Sequence, residues 1–280
     1  MTLNLKFCKM HSCHNDFVII DIRRGEYKLE EIKKIVPKLA ERDNGIGCDQ
    51  VLVIANSDQA ACKMIVYNAD GSESGMCANG LRCVGRLIAE ENNCYENEIE
   101  ISGTNYKTKR KDGKTIAVNI NAPKFSWKEI PLACDMVTPI LRYSCGEFED
   151  PIVLSVGNPH AIFFIEQDVA LEKINLPEIG KELENALLFP KGINVSFVEV
   201  WDKNNVIARV WERGAGETKS CGSAASAIAW ASIFSGNASS PVNVHFGSDR
   251  KIVVELLKDG TLESSAEAHM ISENKLFEIA

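Results

Sequence analysis

Asn68-Ala-Asp-Gly-Ser-Glu-Ser-Gly-Met-Cys77-Ala-Asn-Gly-Leu-Arg-Cys83 and Glu212-Arg-Gly-Ala-Gly-Glu-Thr-Lys-Ser-Cys221-Gly-Ser-Ala-Ala-Ser226 are two versions of one device. Each is a polar, glycine-rich turn that leads into a cysteine, and each cysteine opens a segment with helical character. The two cysteines are 221 − 77 = 144 residues apart. Asn68 and Glu212, which open the turns, give 212 − 68 = 144, and Gln50 and Asn194, each starting a strand-like run, give 194 − 50 = 144. Asn15 and Asn158, each ahead of a buried-strand pattern, give 158 − 15 = 143. An offset of 144 at three of these landmark pairs and 143 at the fourth indicates a tandem duplication, too long in period for a solenoid.

The surrounding patterns repeat in the same order. In the first half, period-two alternation or short apolar runs mark strands over residues 3–10, 17–22, 50–54, 63–67, 98–102 and 115–120. Apolar residues at helical spacing mark a helix over 29–40, with Pro37 expected to kink or end it, and a second over 77–91. The tract Lys107-Thr-Lys-Arg-Lys111 reads as the solvated end of a hairpin before Asp112-Gly113. In the second half, strands are expected over 151–156, 161–165, 195–200, 206–210, 242–246 and 252–256, with helices over 176–188 and 221–234. The expected domains are 1–121, completed by a C-terminal return strand at about 267–280, and 122–266, joined near Asn121-Ala-Pro123.

The chain has 280 residues, 45% of them apolar, which is enough for one large or two ordinary cores. A net charge of −8 and a pI near 5.3 argue against nucleic acid or an anionic membrane as partner. No apolar run is long enough to span a bilayer, and the first residues lack a signal peptide's pattern. The ten cysteines are therefore expected as free thiols in the cytoplasm. No Cys-x-x-Cys pair occurs, and Cys8, His11, Cys13 and His14 are badly spaced for a metal site, so no metal is expected.

A cysteine at a helix start lies among unpaired N–H groups at the positive end of the macrodipole, which favours the thiolate. The same N–H groups can hold a carboxylate. Under pseudo-two-fold symmetry such positions would face each other across an interdomain cleft, one thiol on each side of a substrate carbon. That arrangement suits proton removal from one face and return to the other, one sulfur as thiolate and the other as thiol. Taken singly, each cysteine could equally be a small buried hydrophobe. A cysteine hydrolase using His160 would leave the second cysteine unexplained.

Lys9-Met-His-Ser-Cys-His-Asn-Asp-Phe17, Gly45-Ile-Gly-Cys-Asp-Gln50, the Asn68–Gly80 turn, Gly157-Asn-Pro-His160 and Glu212-Arg-Gly-Ala-Gly-Glu-Thr with Ser220-Cys-Gly-Ser223 together resemble the diaminopimelate epimerases. These pyridoxal-phosphate-independent enzymes interconvert LL- and meso-diaminopimelate. The resemblance implies an α+β fold of two pseudo-symmetric domains, each a mostly antiparallel sheet wrapped around a central helix. It implies Cys77 and Cys221 as the two bases, and Asn15, Gln50, Asn68, Asn158, Asn194, Glu212 and Arg213 as substrate-binding. Ala78, Asn79, Gly222 and Ser223 would offer backbone N–H groups to the reacting carboxylate, and His160 and Glu212 would tune the thiols. It further implies no cofactor, a diaminopimelate substrate in lysine and peptidoglycan precursor synthesis, and a homodimer. A racemase of another amino acid on the same two-cysteine fold is the alternative.

The chain departs from the family pattern in four places. Ser12-Cys-His-Asn15 stands for the usual Gly-Leu-Gly-Asn, Ala78 and Ala224 each replace a glycine after the cysteines, and Gly247-Ser248 replaces Gly-Gly. Alanine keeps its N–H, so carboxylate binding at Ala78 requires only that its φ be negative.

Overall fold

The computed structural model describes residues 3–166 and 169–279, and the chain divides into two compact units. The first is Met1–Val118 with Ser265–Ala280, and the second is Asn119–Ser264.

The first unit runs β1 (Leu3–Ser12), β2 (Asn15–Asp21), α1 (Leu29–Ala40), β3 (Gln50–Ala55), β4 (Cys62–Asn68), β5 (Glu73–Ser74), α2 (Ala78–Glu91), β6 (Glu96–Ile101), β7 (Thr104–Arg110) and β8 (Thr115–Ile120). The second runs β9 (Ser144–Cys145), β10 (Phe148–Glu149), β11 (Ile152–Ser155), β12 (Pro159–Phe164), a 3-10 turn at Leu171–Lys173, α3 (Leu176–Glu184), β13 (Asn194–Val200), β14 (Asn205–Glu212), β15 (Gly216–Thr218), α4 (Gly222–Phe234), β16 (Val242–His245) and β17 (Lys251–Leu256). The last strand, β18 (Leu262–Ile279), begins in the second unit and spends most of its length in the first. This strand starts five residues ahead of residue 267 and runs to Ile279; Ala280 lies outside the described residues.

In the first unit the strands follow the order β1-β2-β3-β4-β6-β7-β8-β18, and β18 also pairs with β1, so the sheet closes into a ring. Leu3 stands opposite Ile279 and Ser12 opposite Ala268 in the antiparallel β1–β18 register, and the Ala268 N–H bonds Lys114 O at 2.9 Å beside β8. Inside runs α2, packed on β1, β2, β4, β6 and β7. Its residues from Ala78 to Gly85, together with Ile88 and Ala89, are all buried, as a helix enclosed by a sheet requires. Gly85 permits the closest approach: a Cβ there would stand 2.9–3.0 Å from Thr108 of β7. α1 is an ordinary amphipathic helix, burying Ile32, Val36, Leu39 and Ala40 against β3 and β4. Pro37 falls in its last turn, and the helix ends three residues later at Ala40.

The second unit repeats the order strand pair, helix, strand pair with a short flanking strand, central helix, then outer strands. Its sheet runs β11-β12-β13-β14-β16-β17 and on into the start of β18. Its central helix, α4, is rich in alanine and serine and buried over most of its length against β11, β12, β13, β16 and β17. Two of its buried hydroxyls are satisfied locally: Ser226 Oγ donates to Gly222 O at 3.1 Å, and Ser232 Oγ to Ile228 O at 2.8 Å. Two strand pairs in each unit are parallel, β2 with β3 and β4 with β6 in the first and β12 with β13 and β14 with β16 in the second, while β4 and β14 are antiparallel to β3 and β13. Both are the expected α+β design.

Three expectations need correction. β7 was not expected, and Lys107–Lys111 is largely part of it instead of a hairpin tip; Lys109 pairs with Glu96 at 3.4 Å and Lys107 with Glu98 at 4.0 Å. α3 stops at Glu184, four residues short of the expected end, where Asn185 Nδ2 bonds Lys181 O at 2.7 Å and closes the last turn. Cys77 and Cys221 are the N-cap residues of α2 and α4, one position before the first helical residue.

Candidate active site

The topology of the first unit gathers the polar landmarks at one rim. Asn15 begins β2, Gln50 begins the parallel β3, and Asn68 ends the antiparallel β4, so three strand ends meet at the same edge. Gln50 stands opposite Asn68 in register, and its Nε2 donates to Asn68 Oδ1 at 3.0 Å. Asn68 Nδ2 donates in turn to Ser72 Oγ at 3.0 Å, within the turn before α2. Cys77 Sγ lies 4.0 Å from Asn15 Oδ1 and accepts the Gly80 N–H at 3.4 Å, so the sulfur itself caps the helix. Ala78 and Asn79 follow as the first two helical residues, where N–H groups have no partner within the helix. Ala78 is absent from the residues with positive φ, so alanine sits there without backbone strain.

Sequence reading gave no role to the groups that orient this rim. Asn15 Nδ2 donates to Asp49 Oδ2 at 3.0 Å, which turns its carbonyl oxygen toward Cys77. Asp49 and Asp16 are both clamped by Arg42, at 2.7 and 2.9 Å. Despite its burial, Asp16 is held below the usual carboxylate range by hydrogen bonds from Arg42 and by the charges of Arg42 and Lys9. The sequence signal was an aspartate directly beside Asn15 and another beside Gln50.

In the second unit the equivalent rim carries Asn158 just ahead of β12, Asn194 at the start of β13 and Glu212 at the end of β14. Asn194 is buried; its Nδ2 donates to Pro159 O at 2.7 Å, and its Oδ1 accepts the Arg213 N–H at 3.0 Å. Arg213 is exposed, and its Nη1 donates to Lys191 O at 2.9 Å. Thr218 of β15 donates to Glu212 Oε1 at 2.5 Å.

His160 and Ser223 link these residues to Cys221. His160 Nε2 lies 3.1 Å from Asn158 Oδ1 and 3.2 Å from Ser223 Oγ, and Asn158 Nδ2 donates to Ser223 Oγ at 3.1 Å. Because Asn158 Oδ1 can only accept, Nε2 carries the proton. Ser223 Oγ then receives from Asn158 and lies 3.3 Å from Cys221 Sγ, a contact in which either the hydroxyl or the thiol can donate. Full burial, with the Arg213 charge adding to it, pushes the His160 pKa down to about 3, so the imidazole is neutral. Burial pushes the Cys221 thiol well above its usual range; the Glu212 carboxylate adds to that, and the Ser223 hydroxyl opposes it. Cys221 is therefore protonated at rest. Gly222 and Ser223 are the first two helical residues of α4, placed as Ala78 and Asn79 are in α2.

Every residue singled out in the sequence thus falls on one of two rims, each built around the N-cap cysteine of a central helix. Cys8, His11, Cys13 and His14 fall instead along β1 and its turn into β2.

Solved structures share this architecture. A phenazine biosynthesis protein of the PhzF family from Bacillus anthracis superimposes with a TM-score of 0.71 over 99% of both chains, at 15% identity. A probable proline racemase from Agrobacterium radiobacter gives 0.66 over 99% of this chain and 93% of that one, at 11% identity. The fold is that of this group of two-unit proteins. The sequence is more specific. Residues 7–126 and 152–269 match the diaminopimelate epimerase family model. Diaminopimelate epimerase of Acidiphilium cryptum is 40% identical over 221 residues, 79% of this chain and 78% of that one. That of a Wolbachia from Drosophila simulans is 41% identical over 222 residues, 79% and 81% of the two chains. The chain belongs to the diaminopimelate epimerase family, a family of isomerases.

Proposed function

We propose that the chain interconverts LL- and meso-diaminopimelate by a two-base proton transfer between Cys77 and Cys221. The observation that carries this reading is the matched pair of N-cap cysteines, one on each central helix, each beside a rim of asparagines. The Cys77 thiolate removes the α-proton, and the electron pair left on carbon is taken up by the carboxylate. The Cys221 thiol, protonated at rest, delivers a proton to the opposite face. The carbon inverts, no electron is gained or lost, and the reverse reaction exchanges the two roles. This needs no cofactor.

Ala78, Asn79, Gly222 and Ser223 hold the reacting carboxylate through first-turn N–H groups. Arg213 forks onto a carboxylate, and Glu212 accepts from an ammonium. Asn15, Gln50, Asn68, Asn158 and Asn194 complete the binding of the two amino-acid ends. His160, held neutral, fixes Asn158 and Ser223 without competing for the proton. Family membership supports a cytoplasmic homodimer serving lysine and peptidoglycan precursor synthesis, which light scattering of the purified chain would check at the level of assembly.

The deciding experiment is incubation with LL-diaminopimelate in deuterated water without added cofactor. Deuterium should enter the α-carbon as the meso form accumulates. Absence of exchange from diaminopimelate would refute the proposal, and exchange into proline instead would establish a racemase on this fold.

A further inference from the structure

α3 packs on β13, β14 and β15, and its last residue, Glu184, is half-buried. Both of its carboxylate oxygens are engaged. Oε2 accepts the indole N–H of Trp211 at 2.6 Å, and Oε1 accepts the backbone N–H of Gly214 at 2.8 Å. Trp211 and Gly214 bracket Glu212 and Arg213, the charged pair of the second rim. Hydrogen bonds onto a carboxylate are roughly twice as strong as those between neutral groups. Both donors are uncharged, so Glu184 ties the two ends of this segment by hydrogen bonds and not by ion pairing.

Two glycines make the close approach possible. Gly180 lies one turn before Glu184 on α3, and a Cβ there would stand 2.6–2.8 Å from Trp211. Gly192 has φ of 68°, and a Cβ there would stand 2.9 Å from Arg213 Cδ and 3.4 Å from Glu184 Cγ. The Arg213 stem therefore lies over Gly192, with the Glu184 stem beside it. The ends of Arg213 are held as well, its N–H by Asn194 Oδ1 at 3.0 Å and its Nη1 by Lys191 O at 2.9 Å. Glu212 has supports of its own: it stands opposite Gly216 in the β14–β15 register and accepts from Thr218. The first unit differs at these positions. The residue 144 before Arg213 is Ala69 (213 − 144 = 69), and the last turn of α1, Pro37-Lys-Leu-Ala40, carries no carboxylate. Glu41, just past that turn, accepts from Asn44 at 3.0 Å instead. The clamp goes with the arginine and not with the shared fold.

We propose that Glu184 is the positioning residue of Arg213: by tying Trp211 to Gly214 it holds the guanidinium ready for a carboxylate of the substrate. The inference rests on the reading of Arg213 as substrate-binding and adds the group that pre-organises it.

Two measurements on the whole chain test it. The first is amide hydrogen exchange without substrate, read by mass spectrometry on peptides covering residues 211–215. In Glu184→Met, which keeps the length of the side chain and loses both acceptors, this turn should exchange at least about tenfold faster while α4 and β13 keep their rates. The second is steady-state epimerisation of LL-diaminopimelate. KM should rise by roughly tenfold or more with kcat within about threefold, the signature of binding lost equally from ground state and transition state. kcat holds because Glu212, which bears on Cys221, keeps its own supports. A merely structural loss would lower kcat through the folded fraction and leave KM alone. Glu184→Gln has the native shape and one acceptor oxygen, so it should fall between the two chains in both measurements. It also carries the test where circular dichroism shows Glu184→Met unfolded. Unchanged exchange of the turn in a folded variant overturns the proposal, and so does an unchanged KM. If the unaltered chain leaves diaminopimelate untouched, the proposed function falls by that result alone, and amide exchange still decides whether Glu184 holds the turn.

Discussion

Burial holds the His160 imidazole neutral, with its pKa pushed down to about 3, against about 6.5 in an unfolded chain. Between those values the unfolded state binds a proton that the folded state refuses. Stability is therefore full above about pH 6.5 and falls as pH drops toward 3, with a slope of up to ~1.4 kcal/mol per pH unit from this one group. Urea midpoints from pH 7.5 to 4.5 should show that decline, and His160→Asn should flatten it. The thiols give a second prediction. Cys77→Ser and Cys221→Ser should each lower kcat by about 10²–10⁴-fold, the usual contribution of a positioned acid or base. Glu212→Gln removes the largest push on Cys221 after burial, so Cys221 should begin to alkylate at lower pH. Asn15, Gln50, Asn68 and their counterparts were legible because each begins or ends an apolar run, which places it at a strand end. Asp49 was not legible. Its meaning lies in a partner brought close by folding: Asp16 stands 33 residues away in the chain.

At the scale of elements, the central helices were read correctly because a cysteine after a glycine-rich turn marks a helix start, and α1 because its apolar spacing is regular. β7 escaped because its inward positions, Tyr106 and Thr108, are not aliphatic and its outward ones, Asn105, Lys107 and Lys109, are polar or charged. The cause is α2, whose Gly85 backbone fills the space that larger side chains of β7 would take. Gly85→Ala should therefore destabilise the chain by about 1–3 kcal/mol through overpacking, outweighing the roughly 1 kcal/mol by which alanine favours a helix. Gly113→Ala is the control, since a Cβ there meets nothing within 4 Å; denaturant titration of both variants measures the contrast. The two-residue turn between β1 and β2 holds Cys13 and His14 at φ of 51° and 62°. That is the left-handed region, which glycine enters freely and other residues at a cost. His14→Gly should stabilise by about 1 kcal/mol, read from the same titrations. α3 was overextended because Leu187 and Leu188 continue its apolar pattern, although the Asn185 side chain has already closed the helix.

At the scale of the whole chain, the duplication was visible in arithmetic because insertions and deletions between the halves nearly cancel. A C-terminal return strand was expected in the first unit, but that it would pair with β1 as well as β8 and so close the ring was not, since that depends on pairing residues from opposite ends of the sequence. Removing residues 265–280 should open that ring between β1 and β8, leave both as bare edges, and expose Cys83 of α2 to labelling in the absence of denaturant. The closure also sets an order in time. A chain emerging from the ribosome presents β1 through β8 first, yet the ring cannot close until β18 has followed. The second unit is contiguous in sequence and has all its residues by Ser264. Contacts spanning nearly the full length of the chain are the slowest kind to form, so the usual N-terminal-first order of synthesis is inverted. A nascent chain halted at Ser264 on a long tether should resist protease across 119–264 while its earlier half is still cut, and sixteen more residues should protect that half as well.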